Sequence, residues 1–187
     1  MRTRWLVAGC LLFASCDRGS DPQVVGELPA AGGKATPKAD TNAEVGYDIR
    51  RLRPRDGETL DQMFARMAKR AEDDGKQIAV LFSADWCEPC RRLELELGNT
   101  HPESKIGAFR ILELKEEDWM GASRMNEFNA LRKRWYPKTD SYPVFVLLDK
   151  EEQKIEEMKE AIDRLDAAGI EPTVDNWFAN VAGSADA

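Results

Sequence analysis

Two cysteines three positions apart stand in the stretch Ala84-Asp85-Trp86-Cys87-Glu88-Pro89-Cys90-Arg91. An apolar run over 78–82 precedes them and predicts a central β-strand covered on both faces. Pro89 suits the first turn of a helix, where no amide donor is needed. The pattern therefore predicts that Cys87 is exposed at a helix N-terminus, where unpaired amides and the helix dipole favour a thiolate. Cys90 is expected about one turn further on, shielded but close enough to form a disulfide.

A Cys-x-x-Cys pair also fits half of a zinc site or a purely structural disulfide. Zinc needs a second pair of ligands, and once Cys10 and Cys16 are assigned to an export signal, only His101 and carboxylates are left. A structural disulfide across so short a loop would constrain little of the unfolded chain. The spacing of the two cysteines alone is therefore weak evidence for a function, and a structural disulfide remains an alternative. No metal site and no cofactor are predicted.

Helical and strand-like patterns follow one another on both sides of the cysteine pair. The further predicted elements are a helix over 60–75, a strand over 109–114, a helix over 122–135, a strand over 144–148, a weak edge strand over 154–160 and a last helix capped by Thr173. This order predicts the α/β class, with a small mixed β-sheet flanked by helices. The folded domain is predicted to occupy residues 56–187.

The pattern Trp86-Cys87-x-Pro89-Cys90, with a strand before it, resembles the active-site motif of the thioredoxin family. The resemblance covers residues 58–183 in the order of the elements and implies the thioredoxin fold. It also implies a thiol–disulfide oxidoreductase in which Cys87 attacks a partner disulfide and Cys90 resolves the mixed disulfide. Trp86, as the neighbour of Cys87, is then expected at the rim where a partner docks.

A second segment, Tyr142-Pro143-Val144-Phe145-Val146, resembles the family's cis-proline segment. The resemblance implies that the peptide bond before Pro143 is cis and that Pro143 faces the disulfide. Tyr142 would then present its backbone groups to a bound polypeptide.

Two positions depart from the family pattern. Leu81 stands where many thioredoxins carry a buried aspartate that helps to move the resolving cysteine's proton, and Asp85 or Glu88 are candidates to replace it. Glu88 also stands where the family usually has glycine, and a carboxylate beside Cys87 is expected to raise the pKa of its thiol. Because Arg91 has the opposite effect, as does the arginine after it, the net expectation is only a modest bias towards a reductase. The acidic run over 113–118 is expected to be a solvated strand end.

The chain's 187 residues fit one domain plus extensions. Lys and Arg total 27 against 34 Asp and Glu, so the formal net charge is −7. An acidic chain without a dense Lys/Arg cluster is a poor nucleic-acid binder, because neutralising phosphates needs clustered cations. No nucleic-acid partner is predicted.

The N-terminus has the pattern of a bacterial export signal. Two arginines precede an apolar run over 5–15, which is too short to span a bilayer as a helix. Phe13-Ala14-Ser15-Cys16 resembles a lipobox, so residues 1–15 are predicted to be a signal peptide and Cys16 the lipidated mature N-terminus. A second lipobox-like match ends at Cys10, and a plain secretory signal cut near Ala14 is the other alternative. Residues 16–55 are predicted to be a flexible tether, with four arginines over 50–55 as its solvated end.

These features together predict a lipid-anchored thiol–disulfide oxidoreductase on the periplasmic side of the cell envelope. Asp17 resembles an inner-membrane retention signal, which favours the inner membrane. The expected partners are cysteine-containing envelope proteins and a membrane thiol donor or acceptor. The alternative is a non-enzymatic adaptor with a thioredoxin fold, or a copper-handling lipoprotein. Copper delivery by this fold usually also needs a histidine near the later strands, whereas His101 lies early in the domain.

Overall fold

A computed structural model describes residues 43–138 and 141–182. The predicted signal peptide, the predicted lipidation site Cys16 and residues 16–42 of the predicted tether lie outside the described residues. The strands are β1 (Glu44–Gly46), β2 (Asp48–Arg51), β3 (Gln77–Ser83), β4 (Thr100–Pro102), β5 (Phe109–Lys115), β6 (Val144–Leu148) and β7 (Lys154–Glu157). The helices are α1 (Leu60–Asp73), α2 (Glu88–Leu97), α3 (Glu103–Ile106), α4 (Ala122–Lys133), α5 (Met158–Ala167) and α6 (Val174–Ala182), with a 3-10 helix over Glu116–Trp119. None of these helices is long and apolar enough to cross a bilayer.

The main sheet has five strands in the order β2-β5-β3-β6-β7. β2 and β3 run parallel to β5, whereas β6 is antiparallel to both β3 and β7. β3 is the central strand, and six of its seven residues are buried, as its continuous apolar run predicts. The predicted fold class, a mixed sheet flanked by helices, is confirmed.

Successive residues of β3 point to opposite faces of the sheet, and each face has its own apolar cluster. Val80 and Phe82 pack in the cluster that α1 and α4 cover. Leu81 packs in the other cluster, which α2, α5 and α6 cover. The helix predicted over 60–75 is confirmed: Thr59 caps α1 in a capping box, and Gly75, with a φ of 67°, follows its end.

The predicted tether over 16–55 and the domain start at residue 56 are wrong for residues 44–51, which form β1 and β2. Ile49 pairs with Ile111 of β5, and the Asp48 carboxylate accepts hydrogen bonds from Arg110 and Lys76. Arg51 binds Asp118 instead of ending a solvated lead-in. Sequence reasoning missed this strand because it has only four residues, lies at the sheet edge, and pairs and forms ion pairs with residues far along the chain.

The predicted edge strand after residue 154 is confirmed in its first part only. β7 ends at Glu157, and a helix that the sequence pattern did not indicate, α5, begins at the next residue. Glu157 caps this helix, because its side chain and that of Glu160 each accept a hydrogen bond from the other's backbone. The acidic residues that weakened the strand prediction therefore belong to a helix start.

Candidate active site

Cys87 and Cys90 form a disulfide at the junction of β3 and α2, with their Cα atoms 5.2 Å apart. Cys87 is the N-cap of α2, and its sulfur accepts a hydrogen bond from the Cys90 amide at 3.2 Å. Pro89 lies in the first turn, where its missing amide leaves no bond unmade. The helix N-terminus thus offers an amide to the Cys87 sulfur, the contact that stabilises a thiolate there.

Both cysteines are buried, with 4% of Cys87 and 1% of Cys90 exposed. The expectation of an exposed Cys87 is therefore wrong for this disulfide-bonded form. The N-cap sulfur turns towards the Cys90 amide, and Ala84 and Tyr142 pack against the pair. Trp86 is 68% exposed and marks the side from which a partner can approach.

Tyr142 lies beside both the disulfide and Trp86. Its ring meets the Trp86 ring edge-on, with 5.6 Å between the ring centroids. The guanidinium of Arg132, a residue of α4, lies 5.0 Å from the centroid of the Tyr142 ring. Burial raises the pKa of Tyr142 to about 12, so the phenol is neutral at physiological pH. The bond between Tyr142 and Pro143 is cis, which confirms that expectation of the sequence analysis.

The Glu88 side chain is 57% exposed. Its carboxylate accepts a hydrogen bond from Arg91 and lies 3.7 Å from the Arg92 guanidinium. The hydrogen bond from Arg91 and the two positive charges lower the pKa of Glu88, so it stays ionised. Because its charge is paired, its expected opposition to a Cys87 thiolate is reduced.

The 3-10 helix contributes two acidic residues to the surroundings of the motif. The Trp86 indole donates to Glu116 at 3.1 Å, and the Asp85 amide donates to Glu117 at 2.8 Å. The expected solvated strand end is therefore wrong for these residues, which are partly buried, and Trp119 at the end of the 3-10 helix is fully buried. Sequence reasoning missed both, although parallel strands end at the same sheet edge, so residues after β5 lie beside the motif after β3.

Lys115, at the end of β5, joins the motif loop to α2. Its ammonium lies 3.1 Å from the Asp85 carboxylate and 2.7 Å from that of Glu94, and only 12% of its side chain is exposed. Through these two ion pairs, the end of β5 contacts both the motif loop and the turn of α2 that follows Cys90.

No group of three or more histidine, cysteine or acidic side chains could hold a metal ion in residues 43–138 and 141–182. His101 packs against Tyr47, with 5.4 Å between ring centroids, and lies 3.6 Å from Asp175 of α6. It therefore belongs to a different cluster from the cysteine pair.

Comparison with solved structures finds chains of similar fold. A wild-type poplar thioredoxin h is 18% identical, with 65% of this chain and 96% of that chain covered and a TM-score of 0.42. A disulphide isomerase from Xylella fastidiosa Temecula1 is 18% identical, with 70% and 98% covered and a TM-score of 0.47. The reduced DsbD C-terminal domain of Neisseria meningitidis is 19% identical, with 51% and 78% covered and a TM-score of 0.38.

No protein-family model and no curated protein sequence matches the chain. All three structural similarities lie below 20% identity and below a TM-score of 0.5. The chemistry of the site is therefore inferred from the chain's own residues.

Proposed function

We propose that the protein is a thioredoxin-like thiol–disulfide oxidoreductase that reduces or exchanges disulfides of exported proteins through Cys87 and Cys90. The observation that carries this proposal is the disulfide at the start of α2, in which the Cys87 sulfur accepts a hydrogen bond from the Cys90 amide. The same sulfur that accepts this bond in the disulfide accepts it as a thiolate after reduction, so the helix stabilises the attacking form. Trp86 and Tyr142 form the rim that a partner polypeptide contacts.

In the reducing direction, the Cys87 thiolate attacks one sulfur of the partner's disulfide. A mixed disulfide forms, and the partner's other sulfur leaves as a thiolate that takes a proton from water. Cys90 then attacks the Cys87 sulfur, the intramolecular disulfide forms, and the partner leaves with both cysteines reduced. Two electrons pass from the cysteine pair to the partner, and a membrane thiol donor restores the dithiol.

Unequal behaviour of the two cysteines tests this mechanism. We expect Cys90→Ser to accumulate mixed disulfides between Cys87 and envelope proteins, visible by non-reducing electrophoresis and lost on reduction. The matched variant Cys87→Ser is expected to trap little, because Cys90 lies inside the first turn of α2, whereas Cys87 is the N-cap whose sulfur accepts a helix amide. Equal, negligible trapping by both variants, with no reduction of insulin disulfides by the wild type, would contradict the proposal.

We also propose that Cys16 carries the lipid anchor and holds the domain on the periplasmic side of the inner membrane. The support is the sequence: an apolar run of signal length ends in Phe13-Ala14-Ser15-Cys16 and is followed by Asp17. Cys16→Ser is expected to move the protein from the detergent phase to the aqueous phase, whereas Cys10→Ser, at the competing lipobox-like match, leaves it in the detergent phase. The reverse result would assign the anchor to Cys10, and an unmodified Cys16 at the end of a soluble product would contradict lipidation.

A further inference from the structure

The sheet position at which the thioredoxin resemblance places a proton-accepting aspartate carries no acid in this chain. Leu81 occupies it, fully buried in the apolar cluster that includes Leu93 of α2. The two acids that the sequence offers as replacements are exposed and already bound: Asp85 to Lys115, and Glu88 to the arginine at position 91. Neither lies beneath α2.

A carboxylate lies one strand away on the same face of the sheet. β3 and β5 are parallel, and their register pairs Leu81 directly with Glu113. Paired residues of neighbouring strands share a face and are about 4.8 Å apart. On its other side Leu81 pairs with Phe145, which is apolar. Glu113 is therefore the titratable residue that directly flanks Leu81 in the sheet.

This face of the sheet is the one that α2 covers with the side carrying Cys90. Cys90, Leu93 and Leu97 are the buried residues of α2, and the two leucines pack in the cluster around Leu81. The Lys115–Glu94 ion pair of 2.7 Å ties the turn after Cys90 to β5, two residues beyond Glu113. The strand that carries Glu113 is thus linked to the turn of α2 that follows Cys90.

Charged groups from four elements act on the Glu113 carboxylate. Burial raises its pKa, Lys115 of β5 and Arg51 of β2 lower it, and Glu94 of α2 and Asp118 of the 3-10 helix raise it again. The net effect is a raised pKa, so this half-buried carboxylate binds a proton more readily than an exposed glutamate does. A group of this kind can serve as the acceptor of a thiol proton.

We propose that Glu113 takes up the Cys90 proton when Cys90 resolves the mixed disulfide. This inference rests on the proposed oxidoreductase function. The Cys90 S–H bond breaks, the proton goes to the Glu113 carboxylate, and the Cys90 thiolate attacks the Cys87 sulfur. The intramolecular disulfide forms, the bond to the partner breaks, and the partner's sulfur leaves as a thiolate that is protonated by water. Glu113 later returns its proton to solvent.

A two-phase reaction with the aromatic disulfide dithiobis-nitrobenzoate tests this role. In full-length protein carrying Cys10→Ser and Cys16→Ser, the reduced pair meets one equivalent of reagent. The first coloured release reports attack by Cys87, and the second reports attack by Cys90 on the adduct. We expect Glu113→Gln to slow the second release about tenfold to a hundredfold near neutral pH. The first release is expected to stay within about twofold of the wild type.

The pH dependence of the second release separates proton transfer from a merely structural role. In the wild type the rate is expected to rise as pH passes the raised pKa of Glu113, because only the carboxylate accepts a proton. Glu113→Gln is expected to lose this inflection and to follow the titration of the thiol alone, whereas Glu113→Asp keeps it. Glu157→Gln is the matched control, since Glu157 is another partly buried glutamate of the sheet with a pKa raised by burial, and its profile is expected to match the wild type.

An unchanged second release in Glu113→Gln, or an equal slowing of both releases, overturns the assignment of Glu113 and leaves the oxidoreductase proposal intact. A wild-type protein that keeps a stable adduct on Cys87 and shows no second release contradicts the oxidoreductase proposal itself, and with it this inference.

Discussion

Replacing Asp48 with asparagine tests whether β2 is an integral strand of the domain. The Asp48 side chain is 13% exposed and lies against Arg110, which is 7% exposed. One carboxylate oxygen accepts from Arg110 Nε at 2.9 Å, from Arg110 Nη2 at 2.8 Å and from Lys76 at 2.8 Å, while the other lies 2.8 Å from Arg50. Asp48→Asn keeps the shape and one acceptor but removes the charge that these three cations share.

The expected loss of stability is about 3 kcal/mol. Removing one partner of a buried ion pair costs about 3–5 kcal/mol. The lower end applies here, because asparagine retains an acceptor and Arg110 keeps a second ion pair with Asp74 at 2.9 Å. For a domain of this size, about 3 kcal/mol corresponds to a decrease in Tm of about 6–12 °C. Asp73→Asn is the matched control: Asp73 is 59% exposed and binds Lys69, so its loss is expected to cost less than about 0.5 kcal/mol.

The stability difference between Asp48→Asn and the wild type is expected to depend on pH. Burial alone would raise the pKa of Asp48, but the hydrogen bonds and charges of Lys76 and Arg110 outweigh burial and hold it below its ordinary value of 3.8. A carboxyl whose folded-state pKa is lowered contributes stability above its unfolded pKa and loses it as pH falls through the folded pKa. The difference is therefore expected in full at neutral pH and to shrink below pH 3.8.

Urea unfolding at a series of pH values, followed by circular dichroism, measures both quantities. A loss of less than about 1 kcal/mol at neutral pH, equal to that of the Asp73 control, would refute the assignment of a structural role to β2. A loss that is the same at all pH values would show that the charge of Asp48 is not its cause.

Three further outcomes are expected. Trp86→Ala should lower kcat/KM for a polypeptide disulfide about tenfold and leave kcat/KM for a small disulfide unaffected. Because the Trp86 side chain is 68% exposed, its removal should change the free energy of unfolding by less than about 0.5 kcal/mol. Phe178→Ala should destabilise the domain by about 3–5 kcal/mol in urea unfolding, because its buried ring stacks on Phe109 at 4.3 Å. Glu88→Gln should shift the glutathione equilibrium of the disulfide by less than about threefold, since Arg91 already pairs the charge, and a tenfold shift would contradict that pairing.

The strand, turn and helix around the cysteine pair could be predicted because local residues determine them. A continuous apolar run over 78–82 requires cover on both faces, and Pro89 is compatible with the first turn of a helix. The cis peptide bond before Pro143 could be predicted only from the resemblance to the thioredoxin family. None of these features depends on knowing which distant residue lies alongside.

The features that sequence reasoning missed depend on the register of distant strands. Arg51 and Leu81 both pair with Glu113, although they come from strands about sixty and about thirty residues earlier in the chain, respectively. No periodicity within β5 reveals these neighbours. A partly buried carboxylate and a solvated acidic strand end look alike in sequence, and only the packing of α2 over this face distinguishes them.

The charges around Cys87 also show that the residues between the two cysteines do not by themselves determine the redox balance of the pair. Glu88 neutralises much of its charge with Arg91 at the surface. Glu116 and Glu117 instead lie against the residues just before Cys87, where they bind the Trp86 indole and the Asp85 amide. We expect the negative charges of these two carboxylates to disfavour a thiolate on Cys87 and the amide at the start of α2 to favour it. Since β5 positions these acids and β3 positions the helix start, we expect the alignment of the two strands to contribute to the balance between oxidised and reduced forms.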